Sequence, residues 1–137
     1  MKIYFGGSIT AGRGDAGLYG QMINELKKYG VVLTEHLGNM AISSQGEVSK
    51  TPEFIYTRDR DWLKEADIVV AEVTTPSLGV GMELGWAQSM GKPIVCFYRP
   101  TEGKVLSRML TGNPDVKIYN YTDLDSFTKI VKDYFGK

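Results

Sequence analysis

The 137-residue sequence predicts an α/β fold, a doubly wound five-stranded parallel sheet in the order 2-1-3-4-5. Three observations predict it. Short apolar, β-branched runs alternate with longer segments of helical periodicity. That alternation calls for right-handed crossovers and a parallel sheet covered on both faces. The two most glycine-rich loops, 6–14 and 74–81, follow the first and third runs, where a sheet wound this way reverses direction and ligands bind.

Each element has its own signal. Lys2–Phe5 is apolar and stops at Gly6-Gly7, a first strand. Between Gly17 and Tyr29, Leu18, Met22, Ile23 and Leu26 fall at helical spacing, and Gly30 ends the helix. Val31–Thr34 is a second strand. Residues 36–50 hold three serines and two glycines without periodicity and read as a loop. Thr51-Pro52-Glu53 opens a helix with a capping hydroxyl, a proline in the first turn and a carboxylate, and the pattern runs to about Ala66. Ile68–Glu72 is a third strand, Gly81–Met90 a helix closed by Gly91 and Pro93, and Ile94–Tyr98 a fourth strand. A short helical segment around Val105–Leu110, a fifth strand Val116–Tyr119 and a last helix capped by Thr122 complete the chain. The whole is a Rossmann- or flavodoxin-like three-layer sandwich, expected to be one domain over residues 1–137.

Composition narrows the function classes. Sixteen Lys+Arg balance sixteen Asp+Glu, which speaks against a globally basic nucleic-acid binder and against an acidic tail. No apolar run approaches the ~18–20 residues of a membrane span, and MKIYF runs straight into glycine, unlike a signal peptide. Cys96, the one cysteine, lies within IVCF and reads as a small buried hydrophobe. The expectation is a soluble, intracellular protein, cytoplasmic or, in a eukaryote, also nuclear, with neither a membrane nor a nucleic-acid partner.

The first loop, GGSITAGRG, suits presentation of backbone N–H groups to a phosphate. It lacks the Gly-Lys-Ser/Thr ending of a P-loop and the G-x-G-x-x-G spacing of a dinucleotide fingerprint. A flexible strand-to-helix turn is the plainer reading. In the second loop, TTPSLGVGMELG, Ser77, Gly79 and Gly81 expose donors ahead of a helix, and Glu83 is expected in its first turn, charged and favoured by the dipole. An ordinary helix-stabilising glutamate is the alternative.

Asp59 lies on the apolar stripe of its helix, between Ile55 and Trp62-Leu63, whereas Arg58 is expected on the solvated face. Partial desolvation raises the pKa of such a carboxyl and suits it to hold a proton; a stripe-edge residue paired with Arg58 or Arg60 is the other reading. Glu72, closing the third strand, is either an acid at the crevice or a ligand to a backbone turn. His36 is the lone histidine, so a zinc site and a Ser-His-Asp triad both lack partners, and the expectation is no metal. Tyr4 either projects into the crevice or fills core.

Together, IYFGGSITAGR, LTEH, DWLKEADIVVAEVTTPSLGVGMELGWA and GKPIVCFYRP resemble the 2'-deoxynucleoside 5'-monophosphate N-glycosidases, the Rcl-type hydrolases of the nucleoside 2-deoxyribosyltransferase superfamily. The likeness covers residue 2 to about residue 110, and EVTxPSLGVGxELG is its most specific segment. The resemblance implies that Glu83 is the nucleophile at C1', that Asp59 assists departure of the base, and that Tyr4 positions the nucleophile near the missing 2'-hydroxyl. It implies a 5'-phosphate held by Ser77 and Gly79 with Gly7, Ser8 and Ile9, and a pocket extended by Tyr19 and His36. It also implies a homodimer in which Ser107, with Met109 beside it, reaches the partner's phosphate. Where members of the family often carry an arginine after Gly-Ser-Ile, this chain has Thr10-Ala11 and brings its arginine at Arg13.

The chemistry agrees with the residues. An oxocarbenium-like state is stabilised and trapped by one carboxylate while a second carboxyl group protonates the leaving base and then activates water. The scheme calls for no metal or organic cofactor. The expected activity is hydrolysis of deoxyribonucleoside 5'-monophosphates to free base and 2-deoxyribose 5-phosphate. The rivals are a deoxyribosyltransferase, a CMP-type ribonucleotide N-glycosidase and a non-catalytic nucleotide-binding module.

Overall fold

A computed structural model of the chain describes residues 1–8, 16–38 and 46–136. Five parallel strands, β1 (Lys2–Gly6), β2 (Val31–Val32), β3 (Ile68–Glu72), β4 (Ile94–Tyr98) and β5 (Val116–Asn120), form one sheet in the order β2-β1-β3-β4-β5. The helices are α1 (Ala16–Leu26), α2 (Pro52–Glu65), α3 (Leu78–Ser89), the short α4 (Arg108–Thr111) and α5 (Leu124–Phe135), with a 3₁₀ turn at Glu35–Gly38. The sheet order is the one the alternation of runs predicts.

Strand alternation divides the core in two. Ile3, Phe5, Val70, Val95 and Phe97 point to the face covered by α1 and α5, where they meet Met22, Leu26, Phe127 and Val131. Tyr4, Val69, Ala71, Ile94 and Cys96 point to the opposite face, against Leu63 of α2 and Val80, Leu84 and Ala87 of α3. β3 and β4 are buried along their whole length, as strands covered on both sides must be. Cys96 is fully buried there, as its apolar neighbours imply, and burial pushes its thiol up to about 12.

Several boundaries differ from the sequence expectation, each for a local reason. β2 stops at Val32, short of the expected Thr34. Beyond it the Thr34 hydroxyl takes over the strand's work, accepting from the Phe5 N–H at 2.9 Å and donating to the Phe5 carbonyl at 2.6 Å. α1 ends at Leu26, three residues before Tyr29, and the chain turns toward Gly30, where an added Cβ would lie 2.5 Å from the Met1 carbonyl oxygen. α5 is capped by Asp123 and not by Thr122. The Asp123 carboxylate accepts from the Ser126 N–H at 2.8 Å and the Ser126 hydroxyl accepts from the Asp123 N–H at 3.1 Å, a reciprocal capping box. Thr51 caps α2 as expected, accepting from the Phe54 N–H at 3.1 Å. Of the segment read as loop, residues 36–38 belong to the 3₁₀ turn Glu35–Gly38, and Glu47 is held against α2.

α3 starts at Leu78, three residues ahead of the expected Gly81, because the Ser77 hydroxyl caps it by accepting from the Val80 N–H at 3.3 Å. Glu83 therefore belongs to the second turn, and the first turn of α3 holds no acidic residue.

Candidate active site

Glu83 projects from α3 over the carboxyl end of β1. Its Oε2 lies 3.1 Å from where a Cβ on Gly6 would stand. The Tyr4 side chain, turned to the same face of the sheet and 1% exposed, is hydrogen-bonded to the Glu83 carboxyl. The expectation of a dipole-stabilised, charged Glu83 is corrected here. Burial pushes its pKa up to about 8, the Tyr4 hydrogen bond pulls against that, and the nearby charge of Asp59 adds to the rise. One turn deeper in the helix, the carboxyl lies beyond the first-turn N–H groups that stabilise an anion. Tyr4 is pushed far above the usual phenol range, first by burial and then by the negative charges of Glu83 and Asp59, so it remains a neutral donor.

Asp59, from α2, has a side chain 18% exposed. Burial raises its pKa, and Arg58, which donates from Nε to Oδ1 at 2.9 Å, opposes the rise. Both sequence readings of Asp59 thus hold together: it is desolvated on the stripe and it is paired. Arg58 departs from its expected solvated position. It lies 4.9 Å over the Trp62 ring and donates from Nη1 and Nη2 to Glu47 Oε1 and Oε2 at 2.9 and 2.6 Å. That bond to Glu47 raises Arg58 still further and lowers Glu47. His36, at the 3₁₀ turn, packs on Trp62 and brings Nε2 to 3.3 Å from Arg58 Nη2. Sequence reasoning missed Glu47, whose one signal was an acidic residue in an otherwise Ser/Gly-rich segment.

The first-loop candidates are placed at the same end of the sheet as far as they are described. Gly7 lies against Tyr19, and a Cβ there would meet its ring at 2.9 Å. Tyr19, edge-on to Phe5, accepts from the Ser8 N–H at 3.1 Å. The Ser8 hydroxyl is buried and has no hydrogen-bond partner among the described residues. Ile9, Thr10 and Ala11 lie outside the described residues, as does Arg13.

Ser77, Ser107 and Met109 stand apart from this cluster. They line a cleft of about 770 Å³ with Leu78, Gly81 and Val105, and none of Tyr4, Asp59 and Glu83 lines it. Ser107 caps α4 by accepting from the Met109 N–H at 3.3 Å. Gly79 follows Ser77 on α3, where a Cβ would meet only the Ser77 hydroxyl, at 3.9 Å. Glu72 resolves to a turn ligand. Its Oε1 and Oε2 accept from the Thr74 N–H and hydroxyl at 2.7 Å each, and the Tyr121 hydroxyl donates to Oε2. Among the described residues no three His, Cys, Asp or Glu side chains gather as a metal ion requires. No helix among them is long and apolar enough to cross a membrane.

The arrangement therefore offers a half-buried carboxyl with a phenol donor, a second carboxyl under the control of an arginine, and a hydroxyl at the carboxyl end of β1 that is unengaged among the described residues. Two titratable acids with different neighbours are what acid–base chemistry at one bond requires.

Comparison with known proteins shows the family and the fold. The sequence model described as nucleoside 2-deoxyribosyltransferase matches residues 3–122, beyond the stretch carried by the motifs alone. The 5-hydroxymethyl-dUMP N-hydrolase of Tetraodon nigroviridis is 46% identical over 99% of this chain and 98% of its own length. That of Mus musculus is 47% identical over 89% of this chain and 73% of its own. Among solved structures, the CMP N-glycosidase of Clostridium botulinum superposes with a TM-score of 0.66 over 96% of this chain and 99% of its own, at 18% identity, a likeness of fold.

Proposed function

The chain belongs to the nucleoside 2-deoxyribosyltransferase family, and from that premise we propose that it hydrolyses the N-glycosidic bond of 2'-deoxynucleoside 5'-monophosphates, releasing the base and 2-deoxyribose 5-phosphate. The observation that carries this reading is the Glu83 carboxyl, held between the Tyr4 hydroxyl and Gly6 with Asp59 in its field. The names of the N-hydrolase relatives support the reaction class and make 5-hydroxymethyl-dUMP the first substrate to try.

In the proposed reaction the ionised Glu83 attacks C1' as the C1'–N bond breaks, and Asp59 passes its proton to the departing base. The sugar is left as an ester on Glu83. Water then attacks C1', Asp59 takes its proton, and Glu83 is released. Tyr4 donates to Glu83 and crowds the 2' position, favouring a deoxy sugar. Ser77 and Gly79 with Gly7, Ser8, Ile9, Thr10 and Ala11 hold the 5'-phosphate, and the buried Ser8 hydroxyl, unengaged among the described residues, supports that assignment. Tyr19 and His36 complete the pocket.

A homodimer completes the scheme, Ser107 reaching the partner's phosphate with Met109 beside it. Its support is the exposed apolar rim of the cleft, with Leu78 96%, Val105 82% and Met109 84% exposed. Gly81 and Gly85 of α3 add to it, since a Cβ at either would meet nothing within 4 Å, leaving room for a closely packed neighbour. One domain spanning the chain, acting in the cytoplasm, accords with the scheme, and imaging of a tagged chain in cells tests the location.

The deciding experiment incubates the protein with 5-hydroxymethyl-dUMP, the four common dNMPs and the matching nucleosides, with and without an added free base. Free base from monophosphates alone establishes the hydrolase. Products that require the acceptor base make it a transferase, turnover of CMP makes it a ribonucleotide N-glycosidase, and binding without products makes it a nucleotide-binding module.

A further inference from the structure

Neighbouring residues on a helix point about 100° apart and do not ordinarily bond to each other. Arg58 and Asp59 break that rule. The Arg58 side chain, 14% exposed, bends back along α2 so that Nε donates to Asp59 Oδ1, with Nη2 also 2.9 Å from that oxygen, while both terminal nitrogens are forked onto Glu47, whose side chain is 10% exposed. The guanidinium carbon lies over Trp62 at 4.9 Å and over Phe54 at 5.7 Å, so aromatic rings as well as bonds hold it. Glu47 arrives from outside any helix, one residue after Gly46, whose φ of 88° is a left-handed turn that favours glycine.

We infer that Arg58 is a positioning residue for Asp59, and that Glu47, by drawing on the terminal nitrogens of Arg58, limits its grip on Asp59 to the one oxygen Oδ1. The inference rests on the reading of Asp59 as the acid that serves the leaving base. Such a group must give up a proton when the C1'–N bond breaks and take one back from water. A fully forked arginine would hold it ionised, and burial alone would hold it neutral.

Among the described residues, the groups facing Asp59 are Arg58 on its own helix, Glu47 from the segment before α2, His36 from the 3₁₀ turn, and Tyr4 and Glu83 from β1 and α3. Of these, Arg58 and His36 favour its charged form and Glu47 opposes it. Removing Arg58 leaves burial unopposed, so Asp59 keeps its proton to higher pH. Removing the Glu47 charge takes away its repulsion and lets the terminal nitrogens of Arg58 turn fully to Asp59, which then loses its proton at lower pH.

The test is the pH profile of kcat/KM for 5-hydroxymethyl-dUMP, or for the dNMP turned over best. Arg58→Gln moves the limb set by Asp59, the one that Asp59→Asn removes, up by about one unit, Glu47→Gln moves it down, and Arg58→Lys falls between wild type and Arg58→Gln. Opposite displacements by two residues bonded to each other are not what loss of packing produces. If Arg58→Gln does not fold, the downward shift in Glu47→Gln decides alone. Wild-type limbs in the folded variants, with Asp59→Asn inactive, overturn the inference and leave the reading of Asp59 standing. Wild-type turnover in Asp59→Asn overturns that reading, and the inference with it.

Discussion

Gly6 lies directly beneath the carboxyl of Glu83, with the position of an added Cβ 3.1 Å from Oε2. The left-handed φ angles among the described residues belong to Gly46, Gly91 and Gly103, so it is proximity and not backbone conformation that asks for glycine at residue 6. Gly6→Ala therefore displaces the Glu83 carboxyl by a few tenths of an ångström and strains its bond to Tyr4. The expected outcome is a fall in kcat of about tenfold with a melting temperature close to that of wild type, read by steady-state kinetics beside a thermal melt.

Glu83→Gln should abolish turnover and stabilise the fold at alkaline pH. The sign follows from proton counting. With the carboxyl raised from 4.5 to about 8 in the folded chain, the native state binds more protons than the unfolded state between those values. Stability therefore falls as pH rises through that window. Glutamine cannot ionise, so the variant lacks this loss. Unfolding curves at pH 5 and pH 9 check it, and a variant no more stable than wild type at pH 9 would contradict the desolvated carboxyl.

Tyr4→Phe removes the hydrogen bond that favours the ionised form of Glu83, and so pushes Glu83 above about 8. The limb of the pH–rate profile that Glu83 sets should move upward, with activity lost most heavily at neutral pH and partly regained toward pH 9. Crowding by Tyr4 at the 2' position also predicts rejection of ribonucleotides. Comparing dGMP with GMP measures this directly; equal rates on the two would count against that role for Tyr4.

Ser107→Ala should raise KM for a monophosphate while sparing kcat, because the lost contact is to the phosphate and not to the reacting centre. Mixed dimers joining a Glu83→Ala chain to a Ser107→Ala chain should recover activity above either parent, since one of their two sites keeps both residues. No recovery would remove the idea of a site shared across the interface.

Much of this was legible in the sequence because it depends on periodicity. The alternating runs specify the sheet order, and Tyr4, two residues before Gly6, shares its strand's face with Val69, Ala71 and Cys96, the side on which α2 and α3 carry Asp59 and Glu83. What periodicity cannot supply is the exact turn on which a helix begins. Taking α3 to start at Gly81 placed Glu83 in a first turn where its charge is favoured. The cap provided by Ser77 moves it one turn on and reverses the direction of its pKa. Arg58 escaped for a similar reason. Its long side chain leaves its own helical face to meet Glu47 across 11 residues of sequence, a contact that no local pattern encodes.

The lone thiol of Cys96 sits in β4, wholly covered and held in its unreactive protonated form. A chain with a single sulfhydryl sealed in the middle of its sheet carries its own clock. An alkylating reagent can mark a molecule only while that strand is open, so the rate of capture counts opening events one by one. Any nucleotide that grips the closed form slows the clock, turning an inert core residue into a gauge of ligand affinity that needs no turnover at all.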